Sequence, residues 1–301
     1  RNLEENHQIK INVVGITNSR EMKIFDNPES DFDLNNNFNT NLQKSDLKEF
    51  INSISSKNLP NLVFVDNTSS EDVVAEYSLL FNNNISIVTC NKKGNSSSYE
   101  QYSKFKRLAK KNNVSFLYET NVGAGLPIIK TLNDLWISGD EILKIEAILS
   151  GTISYIFNNY VGDNTFAEVV RTAQELGYTE PDPRDDLNGM DFSRKMLILG
   201  REIGLPLEMS NVNIKDFLPE ACLKAESIPA FYEELEKHEP YFSSFKNEAE
   251  NSGRKLRLIG VLEDGKINIE VQIVDANHPF FGLSGSDNII SFTTTKKKNT
   301  P

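Results

Sequence analysis

Lys195 closes a run that begins at Gly177 and carries five acidic residues, Glu180, Asp182, Asp185, Asp186 and Asp191. Gly177, Pro181 and Pro183 predict a stiff loop outside regular structure for its first half, because proline fixes φ and removes a backbone donor. Asn188 is a good N-cap, and Phe192, Met196, Leu199 and Ile203 recur at helical spacing until Gly204, so a helix is expected to start there. Asp191 and Lys195 then lie one turn apart on one face. Taken alone, the pair is an ordinary salt bridge favoured by the helix dipole. A merely solvated acidic loop has no need of two prolines, however, and carboxylates ending in a lysine suit a polar, amine-bearing substrate.

Such a grip needs elements to position it. Strand-like runs at Ile9–Gly15, Leu62–Asp66, Ile85–Thr89 and Val114–Glu119 alternate, from the second onward, with helical patterns at Glu71–Phe81 and Tyr99–Lys111. That alternation predicts an α/β, Rossmann-like doubly wound parallel sheet. Ligands of such sheets bind beyond the carboxyl ends of the strands. Three segments fall there: Asn67-Thr68-Ser69-Ser70, Cys90-Asn91-Lys92-Lys93-Gly94 and Thr120–Ile128. Small residues in the third expose carbonyls beside Glu119, an oxygen set suited to a hard cation such as Na⁺ or Mg²⁺; a tight turn holding no ion is an equal reading. The Gly-x-Gly-x-x-Gly turn of a dinucleotide site is missing, with its first strand. Arg1–Lys10 reads as the tail of a first helix feeding a second strand, so the chain is expected to be truncated at its front, and also after its last strand. Asp26–Asn41, with six asparagines and three aspartates, reads as a mobile surface loop.

A second, α+β domain is expected over 139–301, after a nucleotide-binding domain over 1–138. Its elements are a strand at Glu141–Leu149, helices at Ile153–Tyr160 and Phe166–Leu176, the acidic loop and its helix, and a helical stretch at Ala230–Asn251. Strands Lys255–Leu262 and Lys266–Val274 flank Glu263-Asp264-Gly265, a strong hairpin signal, and Ile289–Thr295 is a further strand.

Composition narrows the chemistry. The 301 residues carry 32 Lys and Arg against 43 Asp and Glu, a net charge of −11, without a basic stripe, which argues against nucleic acid as a partner. The Lys296-Lys297-Lys298 run reads as solvated. Cys90 and Cys222 form no CxxC, and His7, His238 and His278 have no metal-ligand spacing, so zinc and Ser-His chemistry are poor fits. Neither a membrane span nor a signal peptide is evident, and a reducing cytoplasm is the expected compartment.

The runs Val13–Ser19, Asn67–Ser70, Val88–Lys93, Asn121–Pro127, Leu149–Phe157 and Gly177–Lys195 together resemble the homoserine dehydrogenase family, in particular the dehydrogenase half of bifunctional aspartokinase/homoserine dehydrogenases. The resemblance implies hydride transfer between L-aspartate 4-semialdehyde and L-homoserine with NAD(P)H. It implies that Lys195 is the general acid/base, Lys92 its partner near cofactor and substrate, and Asp185 an orienting carboxylate. Glu180 and Asp191 would bind the substrate's amino end. Glu119 with the carbonyls of Val122, Ala124 and Leu126 would hold a monovalent cation, usually Na⁺. Thr68, Ser69, Lys92, Gly177, Asn18 and Arg20 would contact the cofactor. A neutral Thr17-Asn18-Ser19 followed by Arg20, where NAD enzymes place an acid, favours NADP. A homodimer or higher homo-oligomer and fusion to an aspartokinase domain are the implied partners. The alternative is a catalytically inert fragment or assembly module of such a bifunctional enzyme.

Overall fold

A computed structural model of the chain describes residues 2–30, 32–33, 38–215 and 217–296. Two compact units emerge, one comprising the chain up to Gly94 plus Glu100–Tyr118, the other Asn95–Tyr99 plus everything from Glu119 onward. Residues 119–138, assigned to the first domain by pattern, therefore cluster with the second unit.

The first unit holds two small sheets. Strands β1 (Val13–Thr17), β2 (Glu21–Glu29) and β3 (Gln43–Lys44) form an antiparallel sheet. Strands β4 (Val63–Asp66), β5 (Ser86–Thr89) and β6 (Phe116–Leu117) form the expected parallel one. Helices Glu71–Ala75, Tyr77–Asn82 and Tyr99–Lys111 make the crossovers. They bury Tyr77, Leu80, Phe81 and Phe105 against Ile87, with Phe116 packed at the edge of the cluster. The α/β class thus holds, but β1 pairs back onto β2 instead of extending the parallel sheet. The cause is local: Asn18 Oδ1 accepts the N–H groups of Arg20 and Glu21, each at 2.8 Å, closing a tight turn. The expected loop at Asp26–Asn41 is corrected in its first part, where β2 continues to Glu29; residues 31 and 34–37 of it lie outside the described residues, as do Lys297 and Lys298.

The second unit is α+β. Its sheet has the order β11-β7-β9-β10-β8, from β7 (Ile142–Ile148), β8 (Val212–Ile214), β9 (Lys255–Glu263), β10 (Lys266–Val274) and β11 (Ile289–Thr294). Asp264 and Gly265, with φ of +50° and +71°, make the β9–β10 turn in the left-handed conformation that matches strand twist. Ile148, Ile259, Val274 and Phe280 cluster on one face of the sheet. The opposite face carries the helix Met190–Glu202, which approaches so closely that a Cβ on Gly260 would stand 2.9 Å from Met196 Sδ. Asn95–Tyr99 is tied into this unit by polar bonds. Buried Arg201 donates to the Asn95 carbonyl at 2.8 Å, Asn95 Nδ2 donates to Asn121 Oδ1 at 2.9 Å, and the Tyr99 N–H donates to Glu208 Oε1 at 2.8 Å.

Candidate functional site

The helix Met190–Glu202 presents Lys195 with its side chain only 16% exposed. Its ammonium donates to the Leu149 carbonyl at 2.6 Å and pairs with Asp191 Oδ2 at 2.7 Å, while Asp191 is 47% exposed. Leu149 is the residue after β7, so the end of a strand and the first turn of a helix hold the lysine between them. Ser150, the next residue, caps the helix Gly151–Asn159 by accepting the Ile153 N–H. The start of the Lys195 helix differs from expectation. Gly189, at φ +72°, occupies the cap, and Asn188 ends the preceding helix while its Oδ1 accepts the Met190 N–H at 2.8 Å.

That preceding helix, Pro183–Leu187, corrects the acidic loop. Asp182 caps it and Pro183 stands at its first turn, where proline's missing N–H costs nothing and its fixed φ helps. Arg184 Nε donates to Asp182 Oδ1 at 2.8 Å and holds that carboxylate below the usual range. Of the two acids inside the helix, Asp185 is exposed. Asp186 is the half-buried one: it accepts the Glu180 N–H at 2.8 Å, and Thr152 Oγ1 lies 3.1 Å from its other oxygen. Thr152 also donates to the Tyr178 carbonyl at 2.6 Å. Burial pushes the Asp186 carboxyl up, and the nearby charges of Asp191 and Asp185 add to it. A hydroxyl has one proton, so a Thr152 that donates to Tyr178 can accept from a protonated Asp186. Asp186 and Thr152 were missed in the sequence. Helical phase could have found Asp186, since 183, 186 and 187 share a face and Pro183 and Leu187 are buried. Glu180 is exposed, and Gly177 ends the helix Phe166–Glu175 at φ +76°. Between these, Tyr178 stacks on Tyr155 at 4.4 Å.

In the first unit, the carboxyl ends of β4 and β5 are joined by a buried polar network. Tyr77 donates its phenol proton to Asp66 Oδ2 at 2.5 Å, and Asn91 Nδ2 donates to the same oxygen at 3.0 Å. Burial and that carboxylate push the Tyr77 phenol far up. Asn91 also donates to the Ser70 carbonyl at 2.9 Å, and Thr68 Oγ1 accepts the Ser70 N–H at 3.1 Å. This network fixes the loop bearing Thr68 and Ser69 and the start of the helix Lys92–Asn95. Lys92 is half-buried; Lys93 pairs with Glu71 at 3.3 Å. Hydroxyls and a lysine at two neighbouring strand ends fit a phosphorylated, ribose-bearing group. Asn18 and Arg20 stand in the β1–β2 turn, with the Asn18 side chain engaged as described.

The Glu119 turn has Gly123 at φ +77° and Ala124 at φ +51°. Glu119 Oε1 accepts the Ile129 N–H at 2.8 Å and Oε2 the Lys130 N–H at 3.0 Å, so the carboxylate caps the helix Ile128–Ile137. The Leu126 carbonyl accepts the Ile128 N–H at 2.9 Å. Carboxylate and carbonyl oxygens each have two lone pairs, so these bonds are compatible with a cation facing the same atoms. Among the described residues there is no cluster of three or more His, Cys, Asp or Glu able to hold a metal, and no helix long and apolar enough to cross a membrane.

The sequence model described as "Homoserine dehydrogenase" matches residues 127–300, and "Homoserine dehydrogenase, NAD binding domain" matches residues 1–119. The chain is similar to the chloroplastic bifunctional aspartokinase/homoserine dehydrogenase 2 of Arabidopsis thaliana, at 41% identity over 99% of this chain and 33% of that protein. It is also similar to the homoserine dehydrogenase of Schizosaccharomyces pombe, at 41% identity over 79% of this chain and 66% of that one. Among solved structures, one of a Candida auris protein of unknown function has a TM-score of 0.89 at 34% identity, covering 96% of this chain and 83% of that one. The homoserine dehydrogenase of Thermoplasma acidophilum shares the fold, with a TM-score of 0.65 at 20% identity over 94% of this chain and 81% of that one. The chain spans about a third of the length of the bifunctional curated relatives.

Proposed function

The chain belongs to the homoserine dehydrogenase family, and from that premise we propose that it interconverts L-aspartate 4-semialdehyde and L-homoserine with Lys195 as general acid/base. The observation that carries the reading is the Lys195 ammonium held between Asp191 and the Leu149 carbonyl at a strand end. Two of its three N–H groups are thereby directed, and the third is the one to offer to the substrate's C4 oxygen. In reduction, Lys195 delivers a proton to that oxygen as the aldehyde carbon becomes an alcohol; in oxidation it receives the hydroxyl proton. When bound, the nicotinamide cofactor supplies the hydride, donating or accepting it at C4.

Glu180 and Asp191 take the substrate's α-ammonium. Of the consecutive acids, Asp186 supports the orienting role better than Asp185, since it fixes the Glu180 backbone and Thr152. Thr68, Ser69 and Lys92 hold the cofactor, with Gly177, Asn18 and Arg20 as further contacts. Arg20 and the neutral residues before it favour NADP. A monovalent cation, Na⁺ foremost, sits at Glu119 and the carbonyls of Val122, Ala124 and Leu126. The relatives' architecture supports fusion to an aspartokinase in the whole protein, and a homodimer is the assembly expected. Turnover of L-homoserine with NADP⁺ by the purified protein tests the reading; no activity with either NADP⁺ or NAD⁺ would overturn it.

A further inference from the structure

Tyr155 and Tyr178 stack face to face, with ring centroids 4.4 Å apart and planes 22° from parallel. Tyr155 lies on the helix Gly151–Asn159, three residues after Thr152, so the two project from one face. Both reach the same residue: Thr152 donates to the Tyr178 carbonyl at 2.6 Å, and the Tyr155 ring covers the Tyr178 ring. The Tyr178 N–H donates to the Ala173 carbonyl at 2.9 Å, closing the end of the helix Phe166–Glu175. Tyr178 is thus fastened at its N–H, its carbonyl and its ring, although the residue is 41% exposed.

Two residues on stands Glu180, whose own N–H is held by Asp186 at 2.8 Å, so the stretch Tyr178-Thr179-Glu180 is anchored at both ends. Water competes for the backbone bonds of so exposed a residue, whereas stacked ring faces exclude water between them. Resting on the dehydrogenase reading above, we propose that Tyr155 is a positioning residue for the substrate's α-ammonium: by stacking on Tyr178 it steadies the segment that presents the Glu180 carboxylate. Tyr155 itself touches neither the substrate nor the reacting atoms. A near-parallel contact of this kind depends on two flat rings and not on the phenol hydroxyl. Lys195 is held by other groups, Asp191 and the Leu149 carbonyl, so loss of the stack leaves proton transfer in place.

Kinetics of Tyr155→Phe and Tyr155→Leu in the purified protein test the assignment, with 4-hydroxybutanoate, which lacks the ammonium, as competitor. The leucine variant, which keeps an apolar side chain without a ring face, should raise the homoserine KM about three- to tenfold, with kcat within about twofold. The phenylalanine variant should keep the parent KM. The inhibition constant of 4-hydroxybutanoate should stay unchanged in both, a selectivity that general loosening of the helix would not give. An unchanged homoserine KM in the leucine variant, a phenylalanine variant as weak as the leucine one, or equal weakening of homoserine and 4-hydroxybutanoate overturns the proposal. Parent protein that turns over no homoserine overturns it together with the reading beneath it.

Discussion

Lys195 Nζ and Asp191 Oδ2 lie 2.7 Å apart across one helical turn, with the Leu149 carbonyl as the ammonium's second acceptor. Position and proton transfer are therefore separable by substitution. Lys195→Arg keeps a cation for Asp191 but cannot release a proton at neutral pH. Turnover should fall about 10²–10⁴-fold in both Lys195→Arg and Lys195→Ala, with cofactor titration unaffected. An arginine variant close to the parent rate would rule out Lys195 as the acid/base.

Asp186 should link stability to pH in a sense opposite to most carboxylates. Its carboxyl is raised by burial, so the fold favours the protonated form. The stabilisation from this group is present below its unfolded pKa and is lost as pH rises through the folded value. Asp186→Asn should therefore melt higher than the parent at pH 7, and this advantage should shrink towards pH 4, while turnover drops. Thermal melts across that range decide it: a difference independent of pH would show that Asp186 does not titrate.

Glu119 can be asked whether it caps, coordinates, or does both. Loss of its bonds to the Ile129 and Lys130 N–H groups in Glu119→Ala should cost about 1 kcal/mol whatever the salt. If the turn also holds Na⁺, the parent should melt higher in NaCl than in choline chloride, and the variant should not. Equal melting of the parent in both salts at matched ionic strength would leave Glu119 as a cap alone.

Gly260 lets the Lys195 helix lie close on the sheet. A methyl there meets Met196 Sδ at 2.9 Å and Phe192 Cε2 at 3.0 Å. Gly260→Ala should destabilise by about 1–3 kcal/mol and lower kcat, because the displaced helix carries Lys195. Adding Met196→Ala should recover part of both losses. Denaturant melts and initial rates on the single and double variants would expose the opposite, additive outcome.

Much of this was legible in sequence where the signal is local and repeated. Phe192, Met196 and Leu199 announce their helix, and Asp264-Gly265 its hairpin, because the period or the turn chemistry lies within the segment itself. The same helical spacing sets Asp191 and Lys195 on one face. What escaped depended on partners elsewhere or on a competing local bond. Asn18 turns β1 back through its own side chain, against a strand pattern that reads equally well as parallel. Pro183 reads as a breaker by residue type alone, although a capping Asp182 makes it a helix starter. Asp186 and Asp185 are the same residue type side by side, and only the burial of Pro183 and Leu187 separates them.

The placement of Asn95–Tyr99 has a consequence for dissection of the gene. The chain passes from one unit to the other after Gly94, after Tyr99 and after Tyr118, so no single cut yields both halves whole. A fragment ending at Tyr118 would keep Asn95–Tyr99 but lose Asn121, Arg201 and Glu208, to which that stretch is bonded. Its complement would leave the Arg201 guanidinium without the Asn95 carbonyl. Recombination that exchanges one half between relatives must therefore carry this short insert with the second unit, or match it to the new Arg201 and Glu208.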